Sequence, residues 1–161
     1  DTWTITTRRV RSGSQAWFTP DMGKITDAHL DTLPLQLPAD GRDLRLVFFH
    51  TFEFEPGEFD GGVLEISDGA NFVDLGPNIL VGGYTGFLRA FTDNPLEERE
   101  GWVNGRLGTF QQVVVDLSSY AGKTVVIRFR IGTDPNVKGL GWYIDDVTVA
   151  GQRVACAPAV D

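Results

Sequence analysis

An aspartate in an apolar row is the residue of this sequence most able to do chemistry. Along Gly141 to Val149, which reads as a β-strand, Asp145 shares a face with Tyr143, Val147 and Val149, because side chains on a strand alternate between its two sides. An uncompensated carboxylate in such a row is strongly unfavourable. A calcium ion would compensate it, since hard cations gather carboxylate and carbonyl oxygens. Backbone N–H donors or an arginine would do so equally well. Asp134, Asn136 and the carbonyls between Gly132 and Gly141 form a second polar loop with oxygen donors. Asp60-Gly61-Gly62 reads more simply as a tight turn opening the next strand.

Catalytic chemistry finds less support. The two histidines, His29 and His50, belong to no His-Glu-x-x-His pattern. His50 falls in a row of phenylalanines, where a buried, satisfied histidine is expected rather than a general base. Ser67, Ser118 and Ser119 lie in none of the motifs that activate a nucleophile. Glu53 and Glu65, on strands expected to be neighbours, could form the carboxylate pair of a glycosidase, but an acidic sandwich surface produces such spacings routinely. No catalytic residue is assigned, and the chain is expected not to be an enzyme. Cys156 is the single cysteine, which excludes an intrachain disulfide and any CxxC metal pattern.

The elements that must position these residues are strands. Helical spacing of apolar residues is nearly absent, while period-two alternation, glycine and proline recur along all 161 residues. Leu44 to Glu55 puts Leu44, Leu46, Phe48, His50, Phe52 and Phe54 on one face. Thr124 to Thr133 puts Val125, Ile127, Phe129 and Ile131 inward and Arg128 and Arg130 outward. Further strands are expected at Val63 to Ser67, Phe110 to Leu117 and Gly141 to Val149, with Thr2 to Val10 as an edge strand. Asp93 to Thr109 has no period and reads as a long surface loop. The fold class is all-β: one domain over 1–161, two antiparallel sheets in a sandwich with jelly-roll connections.

With 14 basic and 22 acidic residues the net charge is −8, which disfavours nucleic acid and anionic membrane as partners. No apolar run is long enough to span a bilayer, and any export signal is expected to have been removed before Asp1.

Several stretches, in order along the chain, carry a resemblance. They are Ser12 to Phe18, Thr26 to Leu30 leading into Leu33 to Leu37, Phe59 to Ser67, Asp116 to Gly122 and Gly141 to Val147. Together they resemble the MAM-like jelly-roll modules that accompany secreted bacterial metalloproteases of the immune inhibitor A and fungalysin-like types. The paired cysteines of animal MAM domains are missing, and Phe72 stands where the bacterial modules commonly have tryptophan. The resemblance implies a non-catalytic accessory module of an exported protein, secreted or at the cell surface, with calcium as cofactor and Asp27 as a second ligand beside Asp145.

A sandwich of this sort could bind protein or polysaccharide at the cell exterior. Tyr84, Phe87 and Trp102, which flank the long loop, are the candidates for stacking on sugar rings, although each could instead pin the loop by packing. A third possibility is a self-assembling filament subunit, with Thr2 to Val10 as a donated strand.

Overall fold

The alternation predicted for the central strand is realised side chain by side chain. In Arg45–Glu53, Leu46, Phe48 and His50 are buried, while Arg45, Val47 and Phe49 between them are half-buried on the other face. The structure, a computed structural model, describes residues 2–158. In chain order its strands are β1 (Thr4–Thr6), β2 (Ala16–Thr19), β3 (Thr26–Thr32), β4 (Leu35–Gln36), β5 (Arg45–Glu53), β6 (Gly61–Ser67), β7 (Val73–Asp74) and β8 (Ile79–Val81). There follow β9 (Gly86–Phe87), β10 (Glu100–Val103), β11 (Gln111–Asp116), β12 (Thr124–Thr133), β13 (Gly141–Val149), β14 (Gln152–Arg153) and β15 (Cys156–Pro158).

They form two antiparallel sheets packed as a sandwich. The first runs β1-β2-β13-β5-β11-β8, with β14 beside β13; the second runs β15-β3-β12-β6-β10-β9, with β4 on β12 and β7 on β6. The core between them holds Phe48, Phe129, Trp102 and Trp142, ringed by Leu30, Leu46, Leu64, Ile66, Val113, Val115 and Ile127. Each large apolar side chain buried this way contributes about 1.5–3 kcal/mol. Close packing demands Gly62, because a Cβ there would lie 2.4 Å from the Trp142 ring. A smaller cluster of Val63, Leu88, Leu96 and Val103 lies on the outer side of the second sheet, where the chain between β9 and β10 folds over it.

Three expectations change. The stretch 93–109 is not one loop: β10 lies inside it, paired with β6 and β9, and carries the buried Trp102. Glu53 and Glu65 are not neighbours, since β5 and β6 belong to different sheets. Glu53 accepts the Leu107 N–H, and Glu65 is clamped by Arg99 and Arg130. Finally, β1 is only Thr4–Thr6 and pairs with β2 of its own chain, leaving its other edge open.

A candidate cation site built from four carboxylates

Antiparallel pairing brings the C-terminal ends of β2, β5 and β12 and the N-terminal ends of β6 and β13 to one end of the sandwich. Thr19 pairs with Trp142, Glu53 with Gly141 and Gly61 with Gly132. The chain leaving or entering each strand there carries an acid: Asp21 after β2, Glu55 after β5, Asp60 before β6 and Asp134 after β12. All four are buried, Asp60 completely. Backbone donors fix them. Asp21 Oδ2 accepts the N–H groups of Glu55 and Gly139 at 2.8 and 2.7 Å. Asp60 Oδ1 accepts the Asp134 N–H at 2.6 Å, and Asp134 Oδ1 accepts the Asn136 N–H at 3.0 Å. Gly139 is required, because a Cβ there would meet the Glu53 carbonyl at 2.4 Å.

Oxygen atoms of Glu55, Asp60 and Asp134 lie within 4.8 Å of one another. Among the described residues no lysine, arginine or histidine pairs with any of the four acids. At that separation each ionised pair repels by about 3 kcal/mol at an effective dielectric constant of about 20. Three such pairs approach the whole stability of an ordinary domain, about 5–15 kcal/mol. Burial first, then the side-chain hydrogen bond with Asp21 and the charges of Asp21 and Asp134, pushes the Asp60 carboxyl far above the usual range. Burial and then Asp134 and Asp21 push Glu55 upward as well. Asp21 Oδ1, Glu55 Oε2 and Asp60 Oδ2 are buried without a hydrogen-bond partner. A hard, oxygen-seeking cation would satisfy all three and cancel the repulsion, so the donor set fits calcium.

The residues first expected to hold the ion do not meet it. Asp145 does not face the core, because the pairing of β13 with β5 shifts register between Asp145 and Thr148, where Asp146 has φ 52°. This β-bulge reverses the alternation: Tyr143 and Asp145 point outward, whereas Val147 and Val149 join the core. Asp145 lies beneath the N-terminal segment and accepts the backbone N–H groups of Arg11, Ser12 and Asp146. That is the alternative compensation left open by the sequence. Asp27, on β3 of the other sheet, forms a two-pronged ion pair with Arg130 at 2.8 Å for both contacts, and bonds His29. Burial alone would raise its pKa, but His29 and Arg130 outweigh burial and hold it well below the usual carboxylate range. Residues on opposite sheets with these partners cannot share one ion.

Asp145→Ala is therefore expected to leave calcium binding intact. It should cost about 1–3 kcal/mol through the orphaned N–H groups and speed tryptic cleavage at Arg8, Arg9 and Arg11. Limited proteolysis timed against the parent checks this, and equal cleavage rates would contradict it.

Of the proposed stacking residues, Trp102 is 1% exposed and donates Nε1–H to the Gly82 carbonyl at 3.0 Å. Tyr84 is held inside the fold by the Leu64 N–H and by donating to Asp74. Only Phe87, 57% exposed, faces solvent. His50 is the satisfied core histidine expected, its Nδ1 accepting from Trp142 Nε1–H at 3.1 Å. Asp134 lay in the second polar loop that the sequence offered as an oxygen source. Asp60 reads from the sequence as turn chemistry, Glu55 closes the central strand opposite its apolar row, and Asp21 carries no signal, since nothing local marks a partner 113 positions away in the chain.

Fold and site together define a β-sandwich module with an acidic, cation-suited end. No known protein-family profile matches the chain. A stretch of 53 residues, 33% of the chain, is 34% identical to Bacillopeptidase F of Bacillus subtilis (strain 168), and covers 4% of that protein. One third of the chain thus resembles a small portion of a much longer protein. Among the described residues no helix is long and apolar enough to cross a membrane.

Proposed function

We propose that the protein is a non-catalytic extracellular β-sandwich module of the MAM-like jelly-roll kind, calcium-stabilised, serving adhesion, substrate docking or assembly for the polypeptide that carries it. The observation that carries the calcium reading is the buried set Asp21, Glu55, Asp60 and Asp134, with three unpartnered oxygens and no counter-charge among the described residues. The ion would join the turns after β2, β5 and β12 to the turn before β6, a structural role. The accessory reading rests on the partial likeness to a peptidase many times longer and on histidines engaged elsewhere in the fold.

Isothermal titration of chelator-stripped protein with calcium tests this reading. One site is expected, lost in Asp134→Asn and kept in Asp27→Asn. No heat with the parent chain, or equal binding by both variants, would refute it. Turnover of peptide or glycoside substrates by the purified chain would refute the non-catalytic part.

A further inference from the structure

Phe91 stands apart from every other aromatic residue of the chain: it is 98% exposed and its backbone is left-handed, with φ 61°. A bulky side chain is rarely found in that region and persists there only when its surroundings impose it. Here they do. Asn94, buried beneath the loop, donates from Nδ2 to the carbonyls of Phe59 and Gly132 at 2.8 and 2.9 Å and accepts the Leu96 N–H at 2.8 Å. The Thr92 N–H donates to Glu97 Oε2, and the Thr92 hydroxyl donates to the Arg89 carbonyl. Leu88 and Leu96 anchor the two sides of the loop on the outer face of the second sheet. The fold spends backbone strain to hold a phenyl ring in water, where it gains nothing. In the same loop and the strand that follows it, Asp93, Glu98 and Glu100 are exposed and form no ion pair among the described residues, against one exposed arginine, Arg89, held over the Phe59 ring.

The opposite outer face, that of the first sheet, carries the complement. There the N-terminal segment crosses β13 and β5, tied down by Asp145 and by Arg11, which stacks 3.5 Å over the Phe49 ring and pairs with Asp146. Beside it opens a groove of about 570 Å³ lined by Arg9, Val10, Arg11, Phe49 and Phe110, within the size range of binding pockets. Arg11 roofs the Phe49 ring, so Val10 and Phe110 supply the apolar lining and Arg9 the free charge. Arg9 donates to the Gly108 carbonyl, and neither Arg8 nor Arg9 meets a carboxylate among the described residues. In an acidic protein this is a local reversal of sign.

We propose that the protein self-associates head to tail, the loop bearing Phe91 on one copy docking into the Arg9–Phe110 groove of the next. An apolar knob flanked by unpaired acids and an arginine-lined socket occur on one molecule, which makes a second copy the occupant that fits both. They lie on opposite faces, so one chain cannot join them. Contacts of this heterologous kind propagate as open chains rather than closing into a dimer. Burying one phenyl and juxtaposing opposite charges gives an association weakened by salt.

Sedimentation velocity of the calcium-loaded chain tests this. Concentration-dependent growth of the sedimentation coefficient is expected at low ionic strength and should vanish at high salt. Phe91→Ser, at an exposed position, should leave the melting temperature unchanged and weaken association about tenfold or more. R8E/R9E and E98K/E100K each break one half of the contact and should be monomeric alone. Mixed, each variant's loop meets a groove of opposite charge on the other, and association should return. A parent chain that stays monomeric at low salt, unaltered association in Phe91→Ser, or no complex in the mixture would overturn the proposal.

Discussion

Returning calcium to chelator-stripped protein is expected to raise its melting temperature by on the order of 10 °C. A ligand at a thousandfold excess over its Kd adds about 4 kcal/mol of stability, and in a chain of this size each kcal/mol moves the melting temperature by about 2–4 °C. The effect is large because the stripped state is penalised: buried carboxylates of Glu55, Asp60 and Asp134 face one another within 4.8 Å. The sign of the pH dependence follows. A carboxyl whose folded pKa is raised, as that of Asp60 is, leaves stability intact below its unfolded value of 3.8 and removes it as the pH climbs above that value. The calcium-induced gain should therefore be larger at about pH 8 than at about pH 5. Asp60→Asn removes the carboxyl that the stripped fold must keep protonated and should melt above the parent in chelator while losing most of the response. Asp145→Asn should keep the full response. Melts by differential scanning calorimetry decide it, and coincident curves with chelator and with calcium would remove the ion from the account.

The same bulge that misplaces Asp145 shows where sequence reading ends. Period-two alternation locates β5, β12 and β13 within a residue or two, because each buries a full row of apolar side chains and the pattern is the physical cause of the strand. It cannot see Asp146 entering the left-handed region, since aspartate adopts that conformation or not according to its tertiary partners, here Ser12, Arg11 and Arg153. One residue of slip turns over every side chain beyond it, so Val147 and Val149 join the core while Asp145, before the slip, stays with Tyr143 on the outer face beneath the N-terminal segment.

Short strands fail for a related reason. Glu100–Val103 contains glycine and one tryptophan, too little for a period, and becomes a strand because β6 and β9 offer it partners on both sides. The acidic site was legible only at Asp134. Its members come from four turns spread from position 21 to position 134, and what unites them is strand pairing at one end of the sandwich rather than any local spacing.

Acid should unfold the protein partly through His50. The ring is buried against Phe48, Phe52 and Trp102, and burial depresses its pKa to about 3. The unfolded chain takes up that proton near pH 6.5, so the stability associated with a neutral His50 is whole above 6.5 and drains away as the pH falls toward 3. The full loss is on the order of 5 kcal/mol. Protonation would also convert Nδ1 from acceptor to donor and break the bond from Trp142 Nε1–H. His50→Leu begins at a disadvantage of about 1–3 kcal/mol, because the indole N–H loses its acceptor, but it has no proton to gain. Carboxylates held low in the fold, such as Asp27 and Asp146, titrate in both proteins and cancel in the difference. Urea unfolding in chelator across this range should show the gap between parent and variant closing and then reversing as the pH drops. Two stability curves that run parallel from neutrality to pH 3 would mean that the buried imidazole is not what acid attacks.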